Sequence, residues 1–430
     1  RGVSCTAGTQ QCIAAGDNTV ILGTNVVPAP TTPTPPDTPN LPTSTPTQTQ
    51  APSQGGANLV VNSAADTDDG SCDLLGVGGG NQDCTLREAV AAANAIDGHN
   101  TITFAIPAGP GCSSPNVCTI LLGSQLSISG SGKDLTVDGA PNGAKITIDG
   151  GNGKAGGVRI FDVFASALSV NSLSFVDAGN GALFTGFAPL TVRNSTFVNN
   201  FLNGCGPAIR AENRDLTVIN STFYANEGTN GGAICNGGAS FTVSTIVNST
   251  FVDNVASFGA NFPSAFLIGT NGFNNNHIVL QNTAIVKASG SANVNCRKDG
   301  GGSFTSTANV TDDGTCGGTT RTRSEIGLAA PADNGGPTLT IAPGAGSALI
   351  DAADGTVCAG GLVNSLDQRG LSRPAGAGCD VGSVEIGGAV PPTATPTDTA
   401  TPVPTDTPAP TPTPTATDTP AAASAPTRAP

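Results

Sequence analysis

The stretch LTVINSTF at residues 216–223 decides how this chain is read. It alternates apolar and polar residues, the period of a strand with one buried face and not of a helix. It also returns. LSVNSLSF at 168–175, LTVRNSTF at 190–197 and STIVNSTF at 244–251 are copies, and IVLQNTAI at 278–285 is a looser one. The aligned Phe175, Phe197, Phe223 and Phe251 stand 22, 26 and 28 residues apart, with 34 more to Ile285. A strand phrase recurring every 20–50 residues or so marks a solenoid. One such strand per turn, with small and polar residues between, predicts an all-β, right-handed parallel β-helix whose coils stack about 4.8 Å apart. The expected inward column is Val192, Val218 and Val247, with Phe197, Phe223 and Phe251. Unequal intervals imply unequal loops, and 226–240 and 257–272 are the expected protrusions. Less regular coils precede these at 100–107, 118–130, 134–139 and 144–152.

Asn194, Asn220 and Asn248 share one register and each opens an Asn-Ser-Thr sequence; Asn309-Val-Thr adds a fourth glycosylation acceptor. Stacked in-register strands favour side-chain amide ladders. The reading preferred for the aligned three is therefore a coil-to-coil ladder at a turn, ahead of glycosylation.

Trp and Met are absent and aromatic residues make up 4%, which suits a thin core of Val, Ile, Leu and Phe. A formal net charge of −14 argues against a nucleic-acid partner. No apolar run reaches the length of a membrane span. A chain beginning at Arg1 with no Met leads to the expectation that a signal peptide has been removed. Twelve Cys fit an oxidising compartment, at the cell surface or outside the cell. They fall into six neighbouring pairs, read as disulfides: Cys5/Cys12, Cys72/Cys84, Cys112/Cys118, Cys205/Cys235, Cys296/Cys316 and Cys358/Cys379. Metal ligation is the rival reading, but no C-x-x-C spacing occurs and His99 and His277 stand alone.

Residues 1–27 form a short Cys-containing segment with a strand-like TVILGTNVV at 19–27 and no evident partner for it. Residues 28–56 are a Pro/Thr-rich linker that extends to roughly 90 Å. The body spans 57–388, with an N-terminal cap at 57–99 and a C-terminal cap at 333–388. A Pro/Thr-rich stalk at 389–430 has the composition of O-glycosylated stalks. Within the first cap, Thr85 and Glu88 have capping-box spacing, so 84–95 should be a short helix with Leu86, Val90 and Ala93 on one apolar face. Laid over the first coil, it would cover an open sheet edge.

Cys84-Thr85-Leu86-Arg87-Glu88-Ala89, preceded by NSAADTDDGSCD at 62–73, resembles the CSLREAI-type N-terminal domain of bacterial surface proteins, with Thr85 and Val90 in place of the usual Ser and Ile. DNGGPTLTIAPGAGSALIDAAD at 333–354 and DQRGLSRPAGAGCDVGSVEI at 367–386 resemble the choice-of-anchor Q end of secreted β-helix proteins. The resemblance covers roughly 58–388. It implies an exported bacterial, pectin-lyase-like β-helix presented at the cell surface, and it names no reaction. Residues 389–430 themselves contain no sorting motif or apolar helix, a departure from that pattern.

Pectin-lyase-like folds include lyases and hydrolases. A hydrolase needs two carboxylates roughly 5–10 Å apart. Between 160 and 290 the carboxylates are Asp162, Asp177, Glu212, Asp215, Glu227 and Asp253, and none recurs one coil later. No catalytic residue is assigned, and an enzyme is the minority reading. Asp66, Asp68 and Asp69, with Asp73, are the densest acidic group; a Ca²⁺ site is the sharper reading and an acidic turn clipped by Cys72–Cys84 the preferred one. No other cofactor is expected. Asp367, Arg369 and Arg373 are read as locks of the C-terminal cap, paired with Asp351, Asp380 or Glu385. Three functions follow in order: a structural subunit that assembles head to tail into a filament or sheath through 1–27; a monomeric stalked adhesin that binds surface glycans through its loops; and a polysaccharide lyase or glycoside hydrolase.

Overall fold

The computed structural model describes residues 2–5, 12–16, 19–22 and 56–391, the last range without 70–71, 73–82, 131–132, 155, 239–241, 271–275 and 300. The chain forms two compact units divided between Ser53 and Gln54. In the first, strands Gly2–Cys5, Cys12–Gly16 and Thr19–Leu22 pair antiparallel in that order. The strand read as lacking a partner therefore has one: Ile13 lies opposite Leu22, and Ala15 opposite Val20. Cys5 and Cys12 lie directly opposite each other; whether they are bonded falls outside the described residues. So do the Pro/Thr-rich stretches, apart from Gly56 and 389–391.

The second unit is a parallel β-helix. Its coils feed sheets of ten, seven and nine strands, all parallel but for one antiparallel strand, Cys112–Ser114. Pairing is between equivalent residues of successive coils: Leu168, Leu190 and Leu216 align, as do Val170, Val192 and Val218. The next residue in that column is Ile246, not Val247. Val247 lies beside Ile219 and packs outward against Val363, because the copy STIV carries its apolar pair at adjacent positions. The Phe column forms as expected. Phe175, Phe197, Phe223 and Phe251 stack with centroids 4.9, 4.8 and 4.3 Å apart and planes within 14°. Strand stacking sets this spacing, and the rings fill it face to face.

Helix Leu86–Ala95 begins at a capping box, with Glu88 N–H donating to Thr85 Oγ1 at 3.2 Å and Thr85 N–H to Glu88 Oε2 at 2.9 Å. Its buried Leu86, Val90 and Ala93 close the first end of the core. Disulfides join Cys72 to Cys84, Cys112 to Cys118, Cys205 to Cys235 and Cys296 to Cys316. Cys205–Cys235 staples adjacent coils, and Cys296–Cys316 pins Cys316 into the last end of the core. Cys358 and Cys379 remain free, buried thiols, so the sixth expected bridge is not formed. The segment 226–238 is no protrusion either: it is mostly buried and contributes strands Glu227–Gly228 and Ile234–Gly237. Of 257–272, the stretch 257–261 does project, with Phe258 at 71% exposure, but Pro263–Thr270 is a strand of the seven-stranded sheet and not part of a loop.

After Thr320 the chain does not cap the last end. It runs back along the side of the coils as a strap, far enough for Asp333 to pair with Lys145 at 2.8 Å.

Candidate functional site: the strapped N-S-T face

Each N-S-T turn needs one residue in the left-handed region, which Asn tolerates better than other side chains except Gly. Asn194, Asn220, Asn248 and Asn282 have φ of 50, 47, 45 and 49°. This conformation decides where the amides go. They do not form the expected ladder with one another. Asn194 Nδ2 donates to Asn171 Oδ1 at 2.9 Å, and Asn220 Nδ2 to Leu366 O of the strap at 3.0 Å. Asn248 and Asn282 both point at Cys358 Sγ, at 3.9 and 3.5 Å. Asn220 and Asn248 are buried, as is Asn309, so these acceptor sequences are covered in the folded chain.

The amide ladder exists six residues further on. Asn200 Nδ2 donates to Asn226 Oδ1 at 2.8 Å, and Asn226 Nδ2 to Asn254 Oδ1 at 2.9 Å, all fully buried. Each also donates to the carbonyl of the Phe one coil back, as Asn226 does to Phe197 at 3.0 Å. A serine ladder runs beside it: Ser195 N–H donates to Ser221 Oγ at 3.3 Å and Ser221 N–H to Ser249 Oγ at 3.2 Å.

The third residue of each N-S-T receives the strap. Thr196 Oγ1 donates to Leu339 O at 2.6 Å, Thr222 Oγ1 to Gln368 Oε1 at 2.7 Å, and Thr250 Oγ1 accepts from Ser383 N–H at 2.9 Å. Asn282 and Asp354 exchange two bonds, at 2.8 and 3.1 Å. The strap is locked internally as well. Asp367 pairs with Arg369 at 2.7 Å, and the buried Arg373 with Glu385 at 3.5 Å. Asp380 instead accepts Asp351 N–H and Ile386 N–H. Burial pushes the Glu385 carboxyl up, and burial likewise raises the thiols of Cys358 and Cys379. Two grooves of about 410 Å³ flank the strap. One runs between Pro337–Leu339 and a hydroxyl column of Thr119, Thr147 and Ser174, bridged by Lys145–Asp333.

The other sequence candidates are dispersed. Asp66 is held by Arg87 at 2.9 Å and accepts Gly123 N–H at 2.7 Å, while Asp68 is exposed. Asp66, Asp68 and Asp69 therefore do not form one ligand set; Asp69 meets Asp83 and Glu88 instead, within 4.8 Å. Glu88 is raised chiefly by burial and serves the capping box. Along the mid-rod, Asp162 pairs with Arg159 and Glu212 with Arg210, each at 2.5 Å, Asp253 pairs with Arg323 at 2.7 Å, and Glu227 with Lys154. Asp215 accepts Val243 N–H at 2.8 Å. Asp177 is raised by burial and then by the charge of Asp149.

One feature escaped the sequence reading. Phe164 and Phe187 are 56% and 53% exposed and meet edge to face at 5.7 Å. Beside them Phe184 carries the guanidinium groups of Arg159 and Arg210, at 4.8 and 5.8 Å. Gly186 lies between Phe164 and Phe184, where a Cβ would sit 3.4 and 3.5 Å from the two rings, and no period in the sequence announces the cluster.

No family model, no curated protein and no solved structure matches this chain. No helix among the described residues is long and apolar enough to cross a membrane.

Proposed function

We propose that this chain is a non-enzymatic, extracellular structural subunit, of the pectin-lyase-like surface type its end motifs resemble, that assembles head to tail into a filament or sheath. The observation that carries this reading is how the groups of the rod are spent. Ladders of Phe, Asn and Ser fill the coils, and the strap occupies the N-S-T face. The mid-rod carboxylates serve ion pairs, backbone bonds and turns. Four disulfides in the rod suit an oxidising exterior. Such a module is built for persistence, and a solenoid's ends are where copies join. Electron microscopy of the intact chain tests the reading. Long fibres with a repeat near one body length support it; dispersed single rods at every concentration overturn it.

A second reading, a glycan-binding adhesin, is favoured by the exposed Phe164–Phe187 pair beside Arg159 and Arg210. Aromatic faces flanked by charged hydrogen-bonding groups suit sugar rings, whose one side is apolar. Binding on a glycan array that disappears in Phe164→Ala/Phe187→Ala would move the assignment there.

A further inference from the structure

We infer that the joint between copies lies in the nine-stranded sheet, where the last strand of one copy, Ser303–Thr307, pairs in parallel with the first strand of the next, Asn58–Val61. This rests on the assembly reading above and names its contact.

The ends of the rod are finished unequally. At the first end, the seven-stranded sheet starts at Leu126–Ser129, and the capping helix covers that edge. Asn94 imitates a neighbouring strand there, donating to Ser127 O at 2.7 Å and accepting from Ser129 N–H at 3.1 Å. Arg87 takes the carbonyls of Ser124 and Gln125. The ten-stranded sheet is closed at this end by the hairpin strand Cys112–Ser114. At the last end, the seven-stranded sheet stops at Val294–Lys298. Asp313 and Thr315 accept the N–H groups of Asn295 and Cys296, at 2.7 and 3.0 Å. The ten-stranded sheet tapers to the two residues Thr319–Thr320. Such covering and shortening are how proteins blunt sheet edges.

At the outer edges of the nine-stranded sheet no side chain among the described residues takes the place of a missing strand. Among the described residues no strand pairs with the outer edge of Asn58–Val61 or of Ser303–Thr307. The two open edges are also complementary. Thr101 N–H donates to Ala57 O and Ala105 N–H to Val61 O, so the odd residues face the interior of the sheet. The backbone groups of Asn58 and Val60 point away from the rod. At the other end Ser303 N–H donates to Asn276 O, and Asn282 N–H to Thr307 O. There Phe304 and Ser306 point their backbone groups away. In a parallel pair each such residue bonds the two neighbours of the residue opposite it. Placing Phe304 over Leu59 and Thr305 over Val60 of the next copy satisfies this rule. It also puts Phe304 and Ser306 on the same inward face as Leu59 and Val61, as Ile278 and Leu280 are with Phe304 and Ser306 inside the chain. A one-residue slip would break both conditions.

The occupant is a second copy. A foreign strand fits one edge, but only another copy of this sheet satisfies both while keeping strand direction. The contact is heterologous and does not close, so it propagates.

The test compares the intact chain, Val60→Pro, and the chain lacking residues 1–27, by electron microscopy and sedimentation. Proline at 60 deletes one outward N–H and leaves the bonds of Leu59 and Val61 to their inner neighbour intact. Expected are fibres from the intact chain and from the shortened chain, and at least a tenfold loss of assembled material for Val60→Pro at unchanged melting temperature. In a second arm, Thr305→Cys/Val60→Cys should yield a ladder of covalent oligomers on oxidation. Thr305→Cys/Leu59→Cys, with one partner facing inward, should not. Fibres that survive Val60→Pro, with no cross-linked ladder, but vanish without residues 1–27 overturn this joint and leave the assembly reading standing. An intact chain that never assembles overturns both.

Discussion

At the scale of the residue, Phe223 is the most informative position. It lies between Phe197 at 4.8 Å and Phe251 at 4.3 Å, nearly parallel to both. Phe223→Ala removes its burial and leaves a gap between rings that the fixed strand spacing keeps open. The expected loss is about 3–5 kcal/mol by chemical denaturation. A loss below about 1 kcal/mol would mean that the stack collapses onto the gap. Asp177 makes a prediction of opposite sign. Burial and then Asp149 raise its carboxyl above the ordinary 3.8, so the folded chain holds the proton more tightly than the unfolded one. Its contribution to stability is full below the ordinary value and is lost as pH rises through the folded value. Asp177→Asn cannot ionise, and its φ of 50° suits Asn. The variant should melt higher than wild type at pH 7, with the difference vanishing toward pH 3; equal melting at both pH values would refute this. These residues also show what the sequence discloses. The Phe register is legible because a strand's period of two fixes which residues point inward. The amide ladder was misplaced because Asn at a left-handed turn and Asn on a strand flank look alike in a string of letters. Only φ sends Asn220 to the strap and Asn226 to Asn254.

At the scale of the element, the strap is the least legible part. It has no period, and its ties to Thr196, Thr222 and Thr250 run back 143, 146 and 133 residues, so neither alternation nor spacing announces them. Its charged residues suggested a lock, and the lock forms at Arg373–Glu385 and Asp367–Arg369, but along the side of the rod and not across its end. Gln368 is its central peg. It is buried, accepts from Thr222 Oγ1 at 2.7 Å, and donates to Thr196 Oγ1 at 2.8 Å and Thr338 Oγ1 at 2.9 Å. Gln368→Ala takes one hydrogen bond from each of three buried hydroxyls, Thr196, Thr222 and Thr338, at a net cost of about 0.5–1.5 kcal/mol for each bond. The expectation is faster proteolytic cleavage within 321–391 while the coils stay protected. Cleavage of coils and strap at one common rate would show that they open as one body.

At the scale of the whole molecule, the strap changes the kind of stability the rod has. A solenoid held only by contacts between neighbouring coils is quasi-one-dimensional and can open from either end. Here coils far apart are tied to one segment: Lys145 to Asp333, Thr196 to Leu339, Thr222 to Gln368, Thr250 to Ser383, and Asn282 to Asp354. An opening that starts at one end must then detach a strap that still grips the middle, so partial unfolding loses contacts well beyond the coil that opens. Ending the chain at Thr320 removes those ties and leaves the ladders and the four disulfides in place. The transition of the shortened chain in denaturant should shift to lower concentration and become broader, with a smaller slope, because coils are released in sequence and not together. Hydrogen exchange should then grade from the ends toward Phe197 and Phe223. A transition as sharp as that of the full chain would place the cooperativity in the stacked columns themselves and reduce the strap to a cover for the N-S-T face.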